Sequence, residues 1–378
     1  MNIGIICYPT YGGSGVVATE LGIALAEKGH QIHFITYSEP ARISNVLNPN
    51  LFYHEVNISN YPLFEYPPYE LALTSTIVDV VKHQKLDLLH VHYAIPHASA
   101  AVMAKDILKT QGINIPVITT LHGTDITLVG KDPSYEPVVT YSINRSDVVT
   151  SVSEDLKKDT YKHFAINREI EVIPNFIDLD KFKKQHKDHF RSAICPQGEK
   201  LLVHTSNFRK VKRVDQVVRI FSEVLKHTPA KLLLIGDGPE RPMIESLCRE
   251  LGTCDDVRFL GKISDVQEVL SVSDVFLMPS EKESFGLAGL EAMACQVPVV
   301  SSDVGGLPEM NKDGFSGFIC PVGDIDCMVK RTLEILSDDK TLLRFKHQAL
   351  ERAKEFDIKG ILPIYEKMYE DTLAKNVE

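Results

Sequence analysis

Cysteine is sparse and scattered. The 378-residue chain holds seven (Cys7, Cys195, Cys248, Cys254, Cys295, Cys320 and Cys327), an odd number with no C-x-x-C pair among them. That spacing argues against a disulfide framework or a structural zinc site and leaves most of the thiols as small apolar groups. Long hydrophobic runs are missing too, since no stretch approaches the ~18 apolar residues that a membrane helix requires. The first residues, MNIGIICYPTYGG, have neither the basic lead nor the apolar length of a secretory signal, so a cytoplasmic protein is expected. Positive charge is in deficit, with 41 Lys+Arg against 51 Asp+Glu and a net charge of −10. The deficit disfavours a nucleic-acid or anionic-membrane binder, but it leaves room for one local cluster to hold a phosphate.

What is present is a globular balance of 44% hydrophobic and 24% charged residues, in a chain long enough for two or three domains at ~150 residues each. Residues 2–7 read as a strand, 12–15 as a glycine loop, 16–28 as a helix stopped by Gly29, and 31–36 as a second strand. The alternation continues with strands at 87–92, 116–121 and 147–151 and a helix at 98–108. It restarts after a charged stretch, KFKKQHKDHFRS, with a strand at 200–205 and a helix from about Val214. LLLIGDGPE, VRFLG, VFLMP and VPVVSS supply further strands. Strands rich in Val, Ile and Leu between helices predict parallel sheets covered on both faces. The expectation is two Rossmann-like, doubly wound α/β domains, residues 1–180 and 190–360, joined near 175–195. Ligands of such sheets bind at the carboxyl ends of the strands, so a cleft between the two domains is the expected site.

The glycine loops have two readings. Gly12-Gly13-Ser14-Gly15 and Gly236-Asp237-Gly238-Pro239 could cradle an anion at a helix start, or could serve turns that need positive φ. Neither G-x-G-x-x-G nor a Walker lysine is present, which weakens dinucleotide and P-loop readings. Glu283-Ser284-Phe285-Gly286-Leu287 leads into a helix bearing Glu291 about one turn in. Amides of Phe285, Gly286 and Leu287 would then suit a diphosphate, and Glu291 could accept both hydroxyls of a ribose. NFRKVKR, residues 207–213, gathers four basic side chains after a strand, where a doubly charged phosphate ligand could be neutralised.

Together, E-x7-E with its inner FGL, the upstream basic cluster, the GGSG loop and HGTD at 122–125 resemble the retaining glycosyltransferases of family four, of GT-B architecture. CYPTYGGSGVVATELG, HVHYAIPH, TTLHGTDIT and SNFRKVKRVDQVV are similar to the branch of that family that works in the bacillithiol pathway. The resemblance implies transfer of N-acetylglucosamine from UDP-N-acetylglucosamine to the 2-hydroxyl of L-malate, with retention and without a cofactor or metal. It implies that Arg209 and Lys212 hold the diphosphate, that Phe285, Gly286 and Leu287 assist through their amides, and that Glu291 binds the ribose. Glu283 would meet hydroxyls of the donor sugar, His122 would contact it near the anomeric centre, and Gly15 would lie against the phosphates. In the common family form the lysine stands further from the arginine and precedes a glycine. Here Lys212 lies three residues beyond Arg209 and precedes Arg213, which keeps each basic residue a candidate for each phosphate. The family also implies a possible homodimer and a final helix, about 360–378, folded back on the first domain.

A dicarboxylate acceptor needs at least one cation and several donors. Ser14, Tyr93, Thr120 and Arg145, at or near predicted strand ends, are the candidates, with Arg42 a rival to Arg145. His90, His92 and His97 include an H-x-H, but no nearby Cys or carboxylate completes a metal set, so core or cleft histidines are expected. Asp178-Leu179-Asp180 and Asp324-Ile325-Asp326 read as caps rather than metal ligands. The aromatic, proline-rich stretch 53–69 lacks the basic residues of a nucleic-acid surface and reads as a packed loop or interface. Three alternatives stand beside this reading. One is the same fold and donor with another small acceptor, such as an inositol phosphate; the others are a Rossmann-type oxidoreductase and a non-catalytic sugar-nucleotide sensor.

Overall fold

A computed structural model of the protein describes residues 1–10, 12–40, 42–43, 46–58 and 66–376, apart from the side chains at 128 and 188. The part of the aromatic stretch at 59–65 lies outside the described residues. Contacts divide the chain into two units, one of Met1–Pro174 with Gly360–Glu378 and one of Asn175–Lys359.

The first unit is built on seven strands: β1 (Asn2–Ile6), β2 (Gln31–Thr36), β3 (Leu51–Glu55), β4 (Leu88–His92), β5 (Val117–Leu121), β6 (Val148–Ser151) and β7 (Ile170–Val172). They lie in the order β3-β2-β1-β4-β5-β6-β7, every pairing parallel. All five residues of β4 and of β5 are buried, as expected of strands with helices on both faces. The helix Gly13–Glu27 buries Val16, Val17, Leu21 and Leu25 against the sheet. The helix Tyr69–Gln84 turns Leu73, Ile77, Val80 and Val81 inward at helical spacing. From Gly360 onward the helix Ile358–Asn376 belongs to this unit, burying Ile361, Leu362, Tyr365, Met368, Tyr369 and Thr372.

The second unit has six strands: β8 (Lys200–Thr205), β9 (Ala230–Ile235), β10 (Val257–Gly261), β11 (Val275–Met278), β12 (Val299–Ser302) and β13 (Gly317–Cys320). Their order is β10-β9-β8-β11-β12-β13, again wholly parallel. The helix Val214–Leu225 lays Val217, Val218, Phe221 and Val224 onto Leu202, Leu232 and Leu234 of the sheet. A side chain of this size contributes about 1.5–3 kcal/mol when fully buried.

Three findings depart from the sequence reading. Cys320, the last residue of β13, and Cys327, in the first turn of the helix Ile325–Ile335, form a disulfide across a separation of seven residues. A search for C-x-x-C could not find it, because the strand-to-helix turn is what brings the two sulfurs together. Strands β3, β7 and β13 were not expected; they sit toward the sheet edges, and β3 and β7 are too exposed to show the buried apolar signature. The charged stretch expected at the joint is built into the second unit, where Arg191 and Lys187 pair with Asp274 and Glu268.

Candidate functional site

Strand order reverses direction at β1 and β4 in the first unit and at β8 and β11 in the second. An open parallel sheet has its natural crevice at such a switch point, because neighbouring crossovers leave in opposite directions. Several of the polar groups singled out from the sequence, though not all, lie there in each unit.

In the first unit Ser14 lies in the first turn of the helix Gly13–Glu27, which follows β1, and Tyr93 follows β4 directly. Their hydroxyls share a hydrogen bond of 2.7 Å. Tyr93 has φ 86, a conformation that costs a non-glycine residue about 1–3 kcal/mol, and the surroundings enforce it. Its amide donates to Thr120 O at 2.9 Å, and its ring meets those of Tyr8 and His122, each at 5.3 Å between centroids. Burial pushes the phenol up to about 12, so it stays protonated and able both to donate and to accept.

His122 leaves the end of β5 with only 8% of its surface exposed, and its Nε2 lies 2.8 Å from Nδ1 of His92. Burial, and then neighbouring imidazoles, push His122 and His90 down to about 3 and hold His92 well below the ordinary range. His97 is pushed down to about 4, also by burial. These four histidines are therefore neutral near pH 7 and supply no cation for an acidic ligand. Asp125 anchors the same turn, accepting from the amides of Ala94 at 2.7 Å and Gly123 at 3.1 Å. Burial raises its carboxyl to about 6 against the pull of those amides.

Three first-unit candidates change their reading. Arg145 ends the helix Glu136–Arg145 just before β6, at the amino end of the strands and away from Ser14 and Tyr93. It pairs with Asp106 at 2.8 Å, with about half its side chain exposed. Arg42 follows β2 on the carboxyl side, bonded to Glu20 at 2.9 Å, and replaces Arg145 as the candidate cation. Thr120 is 1% exposed, and its hydroxyl is taken up by His90 Nε2 and Thr150 Oγ1, each at 2.7 Å, so it is a sheet-interior group rather than an acceptor contact. Gly15 is required for packing. A Cβ there would lie 2.5 Å from the carbonyl oxygens of both Tyr8 and Thr10, and none of Gly12, Gly13 and Gly15 has positive φ.

In the second unit the loops after β8 and β11 are joined by a bond from the Glu281 amide to Val211 O, 2.8 Å. Lys212 Nζ and Glu283 Oε1 lie 2.5 Å apart, with side chains 23% and 10% exposed. Ser280 Oγ donates to the same carboxylate oxygen at 3.1 Å. Arg213 is occupied elsewhere, donating twice to Asp215 at 3.0 Å and once to Glu281 at 2.5 Å, and those bonds hold its charge above the ordinary arginine range. Arg209 is exposed and enters no ion pair among the described residues. The ambiguity within NFRKVKR narrows accordingly: Lys212 is the basic residue facing Glu283, and Arg213 braces the loop.

The helix Leu287–Ala294 begins after Gly286 with no side-chain cap, which leaves its first amides open to an anion. Glu291 is the fifth residue of that helix and half-buried. Phe285 contributes only its backbone, since its ring is buried edge-on against Phe356 at 5.4 Å. Sequence reasoning passed over Gly305 and Gly306, after β12. A Cβ on Gly305, where φ is 57, would come within 1.8 Å of Glu283 O, and the Gly306 amide donates to that oxygen at 3.1 Å. The V-G-G-L-P run was the available signal.

Of the two carboxylate pairs read as caps, Asp324 caps the helix Ile325–Ile335, while Asp178 closes a turn and Asp180 pairs with Lys359 at 2.7 Å. Asp324 accepts from Cys327 N at 2.9 Å, and Asp178 accepts from Asp180 N at 2.9 Å. Among the described residues, no group of three or more His, Cys, Asp or Glu side chains could hold a metal ion. No helix among them is long and apolar enough to cross a membrane.

The two Rossmann-like units and the groups at their switch points define the class: the chain belongs to the family-four glycosyltransferases, of GT-B fold. Residues 11–181 match Glycosyltransferase Family 4, and residues 185–352 match Glycosyl transferases group 1. The particular likeness is to N-acetyl-alpha-D-glucosaminyl L-malate synthase of Bacillus anthracis, 46% identical over 375 residues, covering 99% of this chain and 97% of that protein. A D-inositol 3-phosphate glycosyltransferase of Mycobacterium marinum is 27% identical over 64% of the chain and 53% of its own length. Among solved structures, Anabaena HepE in complex with UDP and glucose superposes with a TM-score of 0.84 at 17% identity, covering 98% of this chain and all of that one. Sucrose-phosphate synthase from Thermosynechococcus elongatus gives 0.81 at 22% identity, covering 99% of both chains.

Proposed function

We propose that the protein is a cytoplasmic enzyme that transfers N-acetylglucosamine from UDP-N-acetylglucosamine to the 2-hydroxyl of L-malate, retaining the anomeric configuration, at the opening of bacillithiol synthesis. The observation that carries the substrate pair is the 46% identity to the Bacillus anthracis N-acetyl-alpha-D-glucosaminyl L-malate synthase along nearly the whole of both chains.

The second unit has the groups a nucleotide-sugar donor needs. As the bond from C1 to the diphosphate lengthens, negative charge grows on the departing oxygen. Arg209, Lys212 and the open amides of the helix Leu287–Ala294 are fixed charges and dipoles suited to that oxygen. Lys212 would turn from Glu283 to the phosphate, freeing the carboxylate to accept from sugar hydroxyls, while Glu291 accepts from the ribose. The acceptor hydroxyl would attack on the face the diphosphate leaves, and a diphosphate oxygen would take its proton. This route needs neither a protein nucleophile nor a divalent cation, because the protein's own cations meet the charge. The first unit offers the acceptor side: the Ser14–Tyr93 hydroxyl pair, and Arg42 for a carboxylate.

The test measures UDP release from UDP-N-acetylglucosamine with L-malate, with inositol phosphate and without acceptor. Malate-dependent release with an α-linked product is expected; no turnover with malate, or equal turnover with inositol phosphate, overturns the assignment. Tyr93→Phe removes one hydroxyl contact and is expected to raise the KM for malate about 5- to 10-fold while leaving UDP affinity unchanged. Steady-state kinetics paired with UDP titration calorimetry would read both.

A further inference from the structure

The two histidines at the carboxyl ends of β4 and β5 form a bonded pair whose proton positions can be worked out. We infer that His92 is a positioning residue that fixes the tautomer of His122, making His122 a hydrogen-bond donor to substrate and not a base. The inference rests on the glycosyltransferase reading for its catalytic consequence, while the tautomer is a property of the free protein.

His92 is the last residue of β4 and is wholly buried, and His122 stands one residue past β5. Their rings lie 5.0 Å apart at 26°, with His92 Nδ1 and His122 Nε2 at 2.8 Å. Both imidazoles are neutral, so one nitrogen of the contact donates and the other accepts. If His122 donated from Nε2, the proton of His92 would sit on its own Nε2. That atom is sealed from solvent and has no partner among the described residues. A buried N–H left unpaired is costly and rare, whereas an unused acceptor lone pair is better tolerated.

The neighbouring histidine shows which arrangement this cluster adopts. His97 Nδ1 lies 2.5 Å from the carbonyl oxygen of His92, which can only accept. His97 therefore carries its proton on Nδ1 and buries a bare, unpartnered Nε2. The same pattern at His92 puts Nδ1–H on His92, donating to His122 Nε2. The proton of His122 is then on Nδ1, which no described residue bonds and which is absent from the sealed, unpartnered atoms. His122 thus offers an N–H to a sugar or acceptor oxygen and has no lone pair free to take a proton, so proton acceptance falls to the departing diphosphate.

The test has a readout independent of activity. Long-range proton–nitrogen NMR of the full chain, labelled with nitrogen-15 histidine and assigned with His92→Asn and His122→Asn, reports which ring nitrogen carries each proton. Protonated Nδ1 on both residues is expected, and a protonated Nε2 on His122 overturns the inference. In kinetics, His92→Leu removes the donor and is expected to lower kcat about 10- to 100-fold with unchanged UDP affinity, as loss of an orienting partner does elsewhere. His92→Asn keeps an amide donor near the position of Nδ1 and is expected to regain about ten-fold over His92→Leu. Equal losses in two variants that melt at the same temperature would assign His92 a packing role and overturn its positioning role. Wild-type protein with protonated Nδ1 on His122 but no transfer to malate would instead sink the proposed reaction and leave the tautomer standing.

Discussion

Replacing Lys212 with methionine should lower kcat about 10²- to 10³-fold, a loss of about 2.7–4 kcal/mol of transition-state stabilisation. The charge that builds on a departing diphosphate is met by few fixed groups, and Lys212 is the basic residue held at the switch point between β8 and β11. Arg213 cannot replace it, because Asp215 and Glu281 already occupy its guanidinium. Glu283 would lose its ion-pair partner but keep the hydrogen bond from Ser280. The same change at Lys210, exposed on the adjoining turn, should leave kcat within about two-fold, since exposed charges contribute little. Single-turnover transfer separates chemistry from product release. A Lys212→Met enzyme within about three-fold of wild type would remove Lys212 from the reaction.

The largest effect on stability is expected from Asp274→Ala. This carboxylate is 5% exposed and accepts from Arg191 at 2.7 Å, Lys346 at 2.7 Å and the Leu201 amide at 2.8 Å. Deleting it leaves two cations facing each other with no counter-charge, a loss of about 3–5 kcal/mol. The melting temperature of the second unit should fall on the order of 10 °C. The sign of the pH dependence follows from the site. Burial alone would raise the Asp274 carboxyl, but Lys346 and Arg191 outweigh burial and hold it below the ordinary range. Its stabilisation is therefore complete above the unfolded carboxyl pKa of about 3.9 and is lost as pH falls through the lower folded value. Urea titrations from pH 7 to pH 3 should show the gap between wild type and variant holding until about pH 4 and closing below it. A constant gap across that range would refute the account.

Asp274 also shows why part of the fold was hidden in the sequence. KFKKQHKDHFRS looks like a solvated joint because its apolar content is low, yet its charges find partners some eighty residues away: Arg191 on Asp274, and Lys187 on Glu268. Local pattern cannot reveal such pairings. Strands β1, β4, β5, β8 and β9 were legible because burial on both faces concentrates Val, Ile and Leu in them, while β3 and β7 are short and partly solvated. At the candidate site the residue types were legible and their directions were not. Arg145 and Arg42 differ in which end of the sheet they occupy, and Lys212 and Arg213 differ by one position along a turn. Thr120 sits on a strand whose neighbours absorb its hydroxyl. Gly305 matters through a carbonyl oxygen more than twenty positions earlier in the chain, a contact no spacing rule contains.

The helix Ile358–Asn376 has a consequence for how the protein is made. Its Tyr369 hydroxyl bonds His90 at 2.7 Å, and its Glu366 bonds His30 at 3.1 Å, so residues synthesised late line the interior of the unit synthesised early. A ribosome delivers all seven strands of the first sheet before any of this helix, and the whole of the second unit emerges in between. The first unit must wait with His90 and the surface that Tyr365, Met368 and Tyr369 will cover still open to water or to a chaperone. Translation order and folding order are therefore decoupled in the first unit, and a ribosome that stalls late leaves the early unit, not the late one, unfinished.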